Sequence, residues 1–580
     1  MVSDIIYDPL DEYVNVFKEK FKSVCEATFS KLAAEADVNV ELNRKTCAEI
    51  EDAAGVISRL NSQISRWTIL CVILWVIVVA GGIFSIIGFT HDNPGLGICL
   101  LIGALLSLGV LIGKVHPKLN ALKADLDNEQ SLHNALLEKA WQQMAPLNRL
   151  YDWEVFTRMM SQTIPRLEFD PFFTNQRLED LKTVYGWDEA FNAERSVIFS
   201  HSGLINGNPF VICRTKKMEW GEKEYTGSLK IEWDEVVRGT DGKYRTEHRT
   251  QTLTASIKRP IPEYHKKTRL IYGNTAAPDL TFLRSKNSYI SKTGIGKWAK
   301  KTSLKHKSRN MSADYAMMTN DDFEVAFDTS NRNHNQQFAL LFTPLAQNSI
   351  MSILDDKSVG FGDDFEFEKA RMINVIVADH MQSEEMDMNP AQYQSYDFDR
   401  AAEDFCRINS DHFRAIYFAF APLLAVPMYQ QIRSHEDIYG LDMKRESAYW
   451  EHEALANFWG VDKFKHPDCV TDCILKTEKS NGDSSDSAEK EIQVKAYGFR
   501  TEPRTTYIEK YGNDGHYHQV PVHWEEYLPV KGVGTFTIKE DHTNISSTPD
   551  TTQTQRISSI DKLLSQSGHT IYRRNISSRL

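Results

Sequence analysis

The most apolar part of the chain is a pair of hydrophobic segments near its N-terminus. Residues 67–89 contain no charged side chain over 23 positions, and residues 96–113 form a second uncharged segment of 18. A helix of about 20 apolar residues can cross a bilayer. The six residues between the segments include Pro94 and suit a tight turn. The pattern therefore predicts a two-helix transmembrane hairpin, and the alternative is a buried helical hairpin in a soluble protein.

The orientation of this hairpin follows from the basic residues around it. The connecting loop has no Lys or Arg, whereas the outer flanks carry Arg59, Arg66, Lys114, Lys118 and Lys123. Because cytoplasmic flanks hold the excess of Lys and Arg, both chain termini are expected in the cytoplasm. The acidic start of the chain lacks the basic and apolar regions of a cleavable signal peptide.

Small residues recur four positions apart within the two segments. Gly81 and Ser85 lie on the first segment, and Gly109 and Gly113 lie on the second. This spacing lets membrane helices approach closely, so we predict helix packing at these four positions. Neither segment contains an ionisable side chain, the usual mark of an ion or proton path. That argues against a transporter, and an oligomeric pore lined by small residues stays open as an alternative.

Apolar residues at spacings of three and four continue on both sides of the hairpin. Leu119, Leu122 and Leu126 follow this pattern, which is typical of an amphipathic helix. We predict amphipathic cytoplasmic helices within residues 1–66 and a cytoplasmic stalk helix over residues 114–150. The flanks would pair as an antiparallel coiled-coil stalk, or their apolar faces would join two copies of the chain.

Short segments rich in β-branched and aromatic residues begin near residue 196. The dipeptides Asp241-Gly242 and Asp514-Gly515 are typical of β-hairpins. The predicted fold class is α+β, in which N-terminal helices flank the transmembrane hairpin and a large cytoplasmic region of mixed antiparallel sheet and helix follows. We divide that region into an α+β domain (151–434), a second α+β region (435–540) and a disordered tail (541–580).

Local patterns assign several elements within the first of these regions. Residues 323–327 and 373–378 are predicted as strands, residues 336–354 as a helix, and residues 365–368 as an acidic edge strand. The apolar run 415–429 has 15 residues and includes two prolines. This length favours a buried helix over a third membrane crossing.

Charge is distributed unevenly along a chain whose net charge is −12. That balance excludes a uniformly basic nucleic-acid binder, and nucleic acid is not an expected partner. The densest basic run, 292–309, is predicted to contact anionic lipid headgroups through Lys292, Lys297, Lys300, Lys301, Lys305, Lys307 and Arg309. The alternatives are nucleic-acid phosphate and a solvated loop that balances the acidic block 314–404.

Two groups of residues resemble metal ligands by type. One comprises His466, Cys469 and Cys473. The other comprises His516, His518 and His523, of which His516 and His518 would share one face of a strand. Neither has the paired spacing of a structural zinc site. The favoured interpretation is hairpin histidines and reduced cysteines, so no metal or other cofactor is expected.

The sequence contains no phosphate-binding loop, nucleophile elbow, zinc-protease helix or dinucleotide fingerprint. We therefore assign no enzyme activity. The leading hypothesis is a membrane-anchored cytoplasmic scaffold that recruits a protein partner or self-associates. The alternatives are a homo-oligomeric channel or translocation component, and an enzyme with an unrecognised zinc-dependent site.

The layout also resembles a known group of proteins. A helix, a two-span hairpin, a second helix and then an α+β region with residues 323–327 (FEVAF) and 338–347 (FALLFTPLAQ) are similar to uncharacterised two-span bacterial membrane proteins, often encoded beside LemA-type genes. The resemblance covers residues 1–380 and has no counterpart for residues 435–580. It implies a location in the bacterial inner (plasma) membrane and no established activity. Thr343-Pro344 suits a helix start independently of any site.

Overall fold

The computed structural model describes residues 5–90, 94–238, 240, 243–286, 302, 317–432, 446–480, 489–540, 571–574 and 576–580. These form two compact units. The helical unit contains Glu26–Asp152 and Asn389–Ile408, and the sheet unit contains Met1–Cys25, Trp153–Met388 and Asn409–Leu580.

The α-helices of the described residues are α1 (Pro9–Glu12), α2 (Lys18–Ala36), α3 (Val40–Thr90), α4 (Pro94–Val110), α5 (His116–Asn148), α6 (Val155–Thr163), α7 (Asn175–Thr183), α8 (Ala190–Ala193), α9 (Asp321–Phe327), α10 (Asn335–Leu341), α11 (Pro344–Asp355), α12 (His380–Ser383), α13 (Phe398–Leu424) and α14 (Tyr449–Trp459). Two π-helical turns, Tyr13–Phe17 and Leu111–Val115, connect α1 to α2 and α4 to α5. Short 3-10 helices lie at Pro390–Tyr393, Pro427–Gln430 and Val461–Lys463.

The strands of the described residues are β1 (Leu167–Phe169), β2 (Arg195–Ile205), β3 (Asn208–Arg238), β4 (Tyr244–Gly273), β5 (Thr281–Arg284), β6 (Phe365–Ala370), β7 (Ile373–Ala378), β8 (Ile474–Lys479), β9 (Lys490–Tyr511), β10 (Tyr517–Glu540), β11 (Ile571–Arg573) and β12 (Ile576–Arg579). They form a seven-stranded sheet of order β1-β2-β3-β4-β7-β6-β5 and a five-stranded sheet of order β11-β12-β10-β9-β8. Neighbouring strands are antiparallel throughout.

The helical unit holds the two apolar segments. α3 and the continuous helical run from α4 into α5 are both long and apolar enough to cross a membrane, as the sequence predicts. α5 packs against α3 and buries Leu119 and Leu122. Beyond the apolar segments, Asn43 is fully buried and donates to the Tyr396 carbonyl (2.9 Å). This hydrogen bond joins residues 389–408 to the N-terminal part of α3.

The core of the sheet unit lies between the two sheets and the helices that cover them. Phe173, Trp450 and Val211 belong to one buried cluster, and Phe172, Leu475 and Ile492 belong to a second. The predicted regions 151–434 and 435–540 therefore share one compact unit. This happens because α14 contacts β2 and β8, and β10 contacts β3.

Two unusually long hairpins extend from the sheets. β3 and β4 pair from Phe210 opposite Tyr272 out to Arg238 opposite Tyr244, and at about 3.3 Å per residue a 31-residue strand spans about 100 Å. The outer parts of β3–β4 (218–238, 244–264) and of β9–β10 (498–511, 517–529) pack on each other and are here named the paired arm. Its small core contains Ile231, Leu253, Ala255, Val520 and Val522.

Both predicted hairpins are present in the arm. Asp514-Gly515 lies between β9 and β10, where Gly515 has φ +84°, a backbone conformation that glycine adopts without strain. Asp241 and Gly242 lie outside the described residues, although the strands on either side of them pair as predicted.

Several local predictions are wrong. Residues 323–327 are helical rather than extended, because Asn320 caps α9 by accepting from the Phe323 amide (3.2 Å) and Phe323 and Phe327 are both buried. Residues 336–354 form two helices, separated where Thr343 caps α11. Residues 365–368 lie in β6, which pairs on both sides with β5 and β7 and is not an edge strand.

The end of the chain also differs from its prediction. Residues 571–580 form β11 and β12 instead of a disordered tail, because β12 adds to the edge of β10 from Thr537 to Glu540. Residues 541–570 lie outside the described part. The strand predicted at 373–378 is present as β7, and the apolar run 415–429 is largely buried within the sheet unit, as predicted.

Candidate functional site

The apolar hairpin makes a close contact between α3 and α4. A Cβ atom added to Gly81 would lie 3.1 Å from the Ala104 Cβ. One turn further on, the buried Ser85 hydroxyl donates to the Gly97 carbonyl (2.8 Å). Gly81 and Ser85 therefore lie where α3 and α4 approach each other closely.

The other two predicted packing positions differ. A Cβ added to Gly109 or to Gly113 would have no atom within 4 Å. Both residues lie on a helical run that continues past the apolar segment. The structure therefore leaves open space beside these two glycines.

Large apolar side chains cover the outside of the hairpin. Only 6% of the most apolar window of the first helix and 17% of that of the second is buried inside the protein. The exposed residues include Val72, Val76, Val79, Ile83, Phe84, Ile86, Ile98, Ile102, Leu105, Leu106 and Ile112. Leaving one such side chain in water costs about 1.5–3 kcal/mol relative to burying it. This surface needs apolar surroundings.

The sheet unit contains a buried cluster of charged residues that the sequence pattern does not predict. Arg573 and Arg574 lie at the turn between β11 and β12 and are 1% and 3% exposed. The Arg573 Nε and Nη2 atoms donate to Asp387 Oδ1 (3.0 and 2.9 Å). Arg574 Nη1 donates to Glu451 Oε1 (3.3 Å) and to the Ser200 carbonyl. Two arginines thus face two carboxylates inside the protein.

Glu451 is the centre of this cluster. Its Oε1 atom also accepts from the Phe173 amide (3.0 Å) and from the Ser200 hydroxyl (3.1 Å). A buried charge is tolerated when paired and hydrogen-bonded in this way. The cluster therefore fixes the C-terminal hairpin to α14 and β2.

A small cavity adjoins Arg574. A volume of about 30 Å³ is open to the centre of a water molecule, enough for one or two waters. Its walls are mainly aromatic and sulfur-containing, and they comprise Trp153, Phe156, Thr157, Phe169, Phe199, His201, Ile212, Met386, Asp387, Met388, His412, Ile416 and Arg574. The cavity is therefore lined mainly by apolar side chains, together with a few polar atoms.

The ionisable groups of the cavity are strongly influenced by burial. Burial, followed by the charge of Arg574, lowers the pKa of His201 well below its usual value, so its ring is neutral at pH 7. Its Nε2 atom lies 3.0 Å from the Asp170 carbonyl. Burial and the neighbouring Arg573 lower the pKa of Arg574 to about 10. The cavity wall therefore includes the cation of Arg574, which is paired with carboxylates, and the neutral imidazole of His201.

The hydroxyl groups near the cavity are already engaged. Ser202 donates to Asp170 Oδ2 (2.5 Å), Ser200 to Glu451, and Thr157 to the Glu154 carbonyl (3.0 Å). None of the three is hydrogen-bonded to His201. The arrangement suits ordered water or a small polar group and does not form a nucleophile with its base.

Two further residues of α14 have altered pKa values. Burial raises the pKa of Glu453 to about 7, although Lys476 Nζ lies 3.0 Å from its Oε1. Burial lowers the pKa of His452 to about 3, and its Nε2 lies 2.9 Å from the Ser447 hydroxyl oxygen. Helix α14 thus buries three consecutive ionisable residues, 451–453.

The predicted metal-ligand candidates fall into separate places. Cys469 and Cys473 are buried with their Sγ atoms 3.6 Å apart, and the Nδ1 atom of His466 accepts from the Asp468 amide (3.2 Å). His518 pairs with Asp514 (2.7 Å) near the exposed turn of His516. Within the described residues, no group of three or more His, Cys, Asp or Glu side chains could hold a metal ion.

Three acidic residues in or near β6 have cationic or histidine partners. Asp363 contacts the buried Arg284, Asp364 contacts His380, and Glu366 lies 3.1 Å from Lys267. The predicted headgroup-binding residues Lys292, Lys297, Lys300, Lys301, Lys305, Lys307 and Arg309 lie outside the described residues. Their contact with lipid stays a prediction.

Comparisons of the chain with family models, curated proteins and solved structures found no match. Residues 323–327, one of the two stretches on which the proposed resemblance rests, lie in helix α9, where Phe323 packs against Phe327 and Phe342.

The sequence carried little sign of the buried charge cluster. Arg574 lies 123 positions from Glu451, within a Ser/Thr-rich stretch whose composition is typical of disorder. The only local signal was the triplet 451–453 inside an otherwise apolar segment, since charged residues are rarely buried unless they are paired.

Proposed function

We propose that the protein is an integral membrane protein whose helical hairpin anchors a large α+β unit, and that the anchored unit recruits a protein partner. The observation that carries the anchor is the exposed apolar surface of α3 and α4. Several bulky side chains on each helix face outward. Because water would disfavour that surface strongly, a bilayer is its natural surroundings.

Recruitment is supported by the paired arm. The arm has a small hydrophobic core of its own. Its strands continue beyond the parts of β3, β4, β9 and β10 that pair with the other strands of the two sheets. Its ends carry exposed aromatic side chains, with Tyr244 and Tyr517 both 73% exposed and Tyr511 61% exposed. Tyrosine is enriched at protein interfaces because it offers a large apolar area and a polar hydroxyl.

The anchor is tested by extraction. We expect the full-length protein to stay in the membrane pellet at alkaline pH and to be released by mild detergent. A double variant, Val76→Arg with Leu105→Arg, should shift the protein to the soluble or aggregated fraction, since each charge inside a bilayer costs about 2.5–3.5 kcal/mol. The matched control is Leu132→Arg, at an exposed site on α5 beyond the apolar segment. Carbonate release of the unaltered protein would contradict the proposal.

The orientation has its own test. Epitope tags at both ends should be protected together, or digested together, when sealed membrane vesicles are treated with protease. Both should be digested only in vesicles that expose the cytoplasmic face. One protected tag and one digested tag would rule out the two-span arrangement.

Recruitment is tested by photo-crosslinking in cells. A photoreactive amino acid at Tyr244 or Tyr517 should give a discrete crosslinked product, and the same residue at Leu132 should not. Products at Leu132 alone would move the contact surface to the stalk. The absence of products at both tyrosines would contradict recruitment through the arm.

A further inference from the structure

The loop that precedes β8 buries two cysteines side by side. The Sγ atoms of Cys469 and Cys473 lie 3.6 Å apart, and the residues are 5% and 0% exposed. Val470 between them is 63% exposed. The loop therefore lies at the surface while both thiols point beneath it, within the core cluster that also contains Leu475 and Val494.

The opposite strand leaves room for the two sulfur atoms. Gly498 of β9 faces the loop, and a Cβ atom added there would lie 2.5 Å from the Cys469 Sγ and 2.7 Å from the Cys473 Sγ. Any residue with a side chain would displace at least one sulfur atom. The absence of a side chain at position 498 thus allows both sulfur atoms to occupy the same small space.

The loop of residues 469–473 contacts three strands at the base of the paired arm. The Val470 amide donates to the Phe499 carbonyl (2.9 Å), and the Phe499 amide donates to the Thr471 hydroxyl (3.0 Å). Lys216 of β3 pairs with Asp472 (2.7 Å). Tyr264 of β4 lies within hydrogen-bond distance of Thr471, at 3.2 Å. Residues 469–473 therefore contact β3, β4 and β9 where the long hairpins begin.

We propose that Cys469 and Cys473 form a redox-active dithiol that a peroxide converts into an intrachain disulfide. A disulfide has its sulfur atoms about 2.05 Å apart, so the two atoms must approach by about 1.5 Å from their present 3.6 Å. Side-chain rotation within a short surface loop supplies a movement of this size. The product is uncharged and suits the apolar space below the loop.

The reaction balances with hydrogen peroxide as the oxidant. Burial raises the pKa of Cys473 to about 12, so Cys469 is the thiol that attacks first. Once it has lost its proton, its sulfur attacks a peroxide oxygen and becomes a sulfenic acid while the O–O bond breaks and one water is released. The second thiol then attacks the sulfenic sulfur, the S–O bond breaks, and a second water leaves. The two thiols lose two electrons and two protons in total, and the peroxide gains them. Disulfides of cytoplasmic proteins are usually transient and redox-sensing, which fits a reversible link.

The test counts free thiols in the full-length protein in detergent. The chain contains eight cysteines, so alkylation after denaturation should add eight groups to the reduced protein. After treatment with hydrogen peroxide and removal of the excess, it should add six, and dithiothreitol should restore eight. Peptide mapping should place the new link between Cys469 and Cys473.

Matched variants separate this pair from the other thiols. In Cys469→Ser and in Cys473→Ser, peroxide should no longer remove two alkylatable thiols together. Cys406→Ser, in α13, should still lose two of its seven alkylatable thiols. The mapping uses the unaltered protein and does not depend on the variants folding. A link between other cysteines, or separate oxidation of Cys469 and Cys473 without a link, would overturn the proposal. So would retention of both thiols at peroxide doses that oxidise another cysteine of the same chain.

Discussion

Arg574 of the C-terminal hairpin donates a hydrogen bond to Glu451 of α14, with 3.3 Å between Nη1 and Oε1 and 123 sequence positions between the residues. Both side chains are almost completely buried. The contact attaches the last ten residues to the middle of the sheet unit. It also gives the end of the chain a structural role that its composition does not suggest.

Replacing this arginine should destabilise the protein. In Arg574→Met, Glu451 loses one of its buried cationic partners, and removing one member of a buried ion pair costs about 3–5 kcal/mol. We expect a lower unfolding midpoint in urea for the detergent-solubilised protein. Arg579→Met, at an exposed position of the same hairpin, is the control and should change the midpoint little. Equal midpoints for Arg574→Met and the unaltered protein would contradict the assigned role.

The buried histidine of α14 should make stability depend on pH. Burial lowers the pKa of His452 to about 3, whereas the unfolded chain has a pKa near 6.5. Between these values the unfolded state binds one more proton than the folded state, so the free energy of unfolding falls as the pH falls from about 6.5 towards 3. His452→Gln should remove this contribution.

The neighbouring Glu453 has the opposite effect. Its pKa is raised to about 7, so its contribution is present at low pH and is lost as the pH rises from about 4.5 to 7. The measurement is therefore the difference between the unaltered protein and His452→Gln in urea midpoint at several pH values. A difference that does not change with pH would rule out a neutral buried His452.

The apolar hairpin of α3 and α4 should be sensitive to substitution at Gly81 and tolerant of it at Gly109. Gly81→Leu places a large side chain where even a Cβ would lie 3.1 Å from Ala104, so α3 and α4 must separate. We expect a lower thermal midpoint in mild detergent. Gly109→Leu has open space around its Cβ and should leave the monomer unchanged. A loss of an oligomer in Gly109→Leu would instead assign that face to contacts between copies of the chain.

The paired arm depends on a close approach of two backbones. A Cβ added to Gly227 would lie 2.0 Å from the Pro521 carbonyl oxygen, so Gly227→Val should push β3 away from β10 and cost about 1–3 kcal/mol locally. Hydrogen exchange should become faster around Ile231 and Val522. Gly221→Val is the control, because the three atoms nearest to its Cβ would all belong to the movable end of the Glu263 side chain. Unchanged exchange in Gly227→Val would contradict the packing of the arm.

Local sequence pattern predicted the elements that depend on near neighbours. The two apolar helices follow from length and composition, because a run of about 20 apolar residues is long enough for a helix to cross a bilayer. The hairpin at Asp514-Gly515 follows from the backbone freedom of glycine. The strand β7 and the buried run 415–429 follow from side-chain periodicity and from the two prolines.

The tertiary structure decided the features that depend on distant partners. Residues 323–327 alternate like a strand, but a cap at Asn320 and burial on several sides make them helical. The tail residues 571–580 gain order only because β10 offers them an unpaired edge and Glu451 offers their arginines a buried partner. Periodicity reports which face of an element is apolar. It does not report which distant segment will cover that face or neutralise a buried charge, and those contacts determine the cavity, the paired arm and the dithiol.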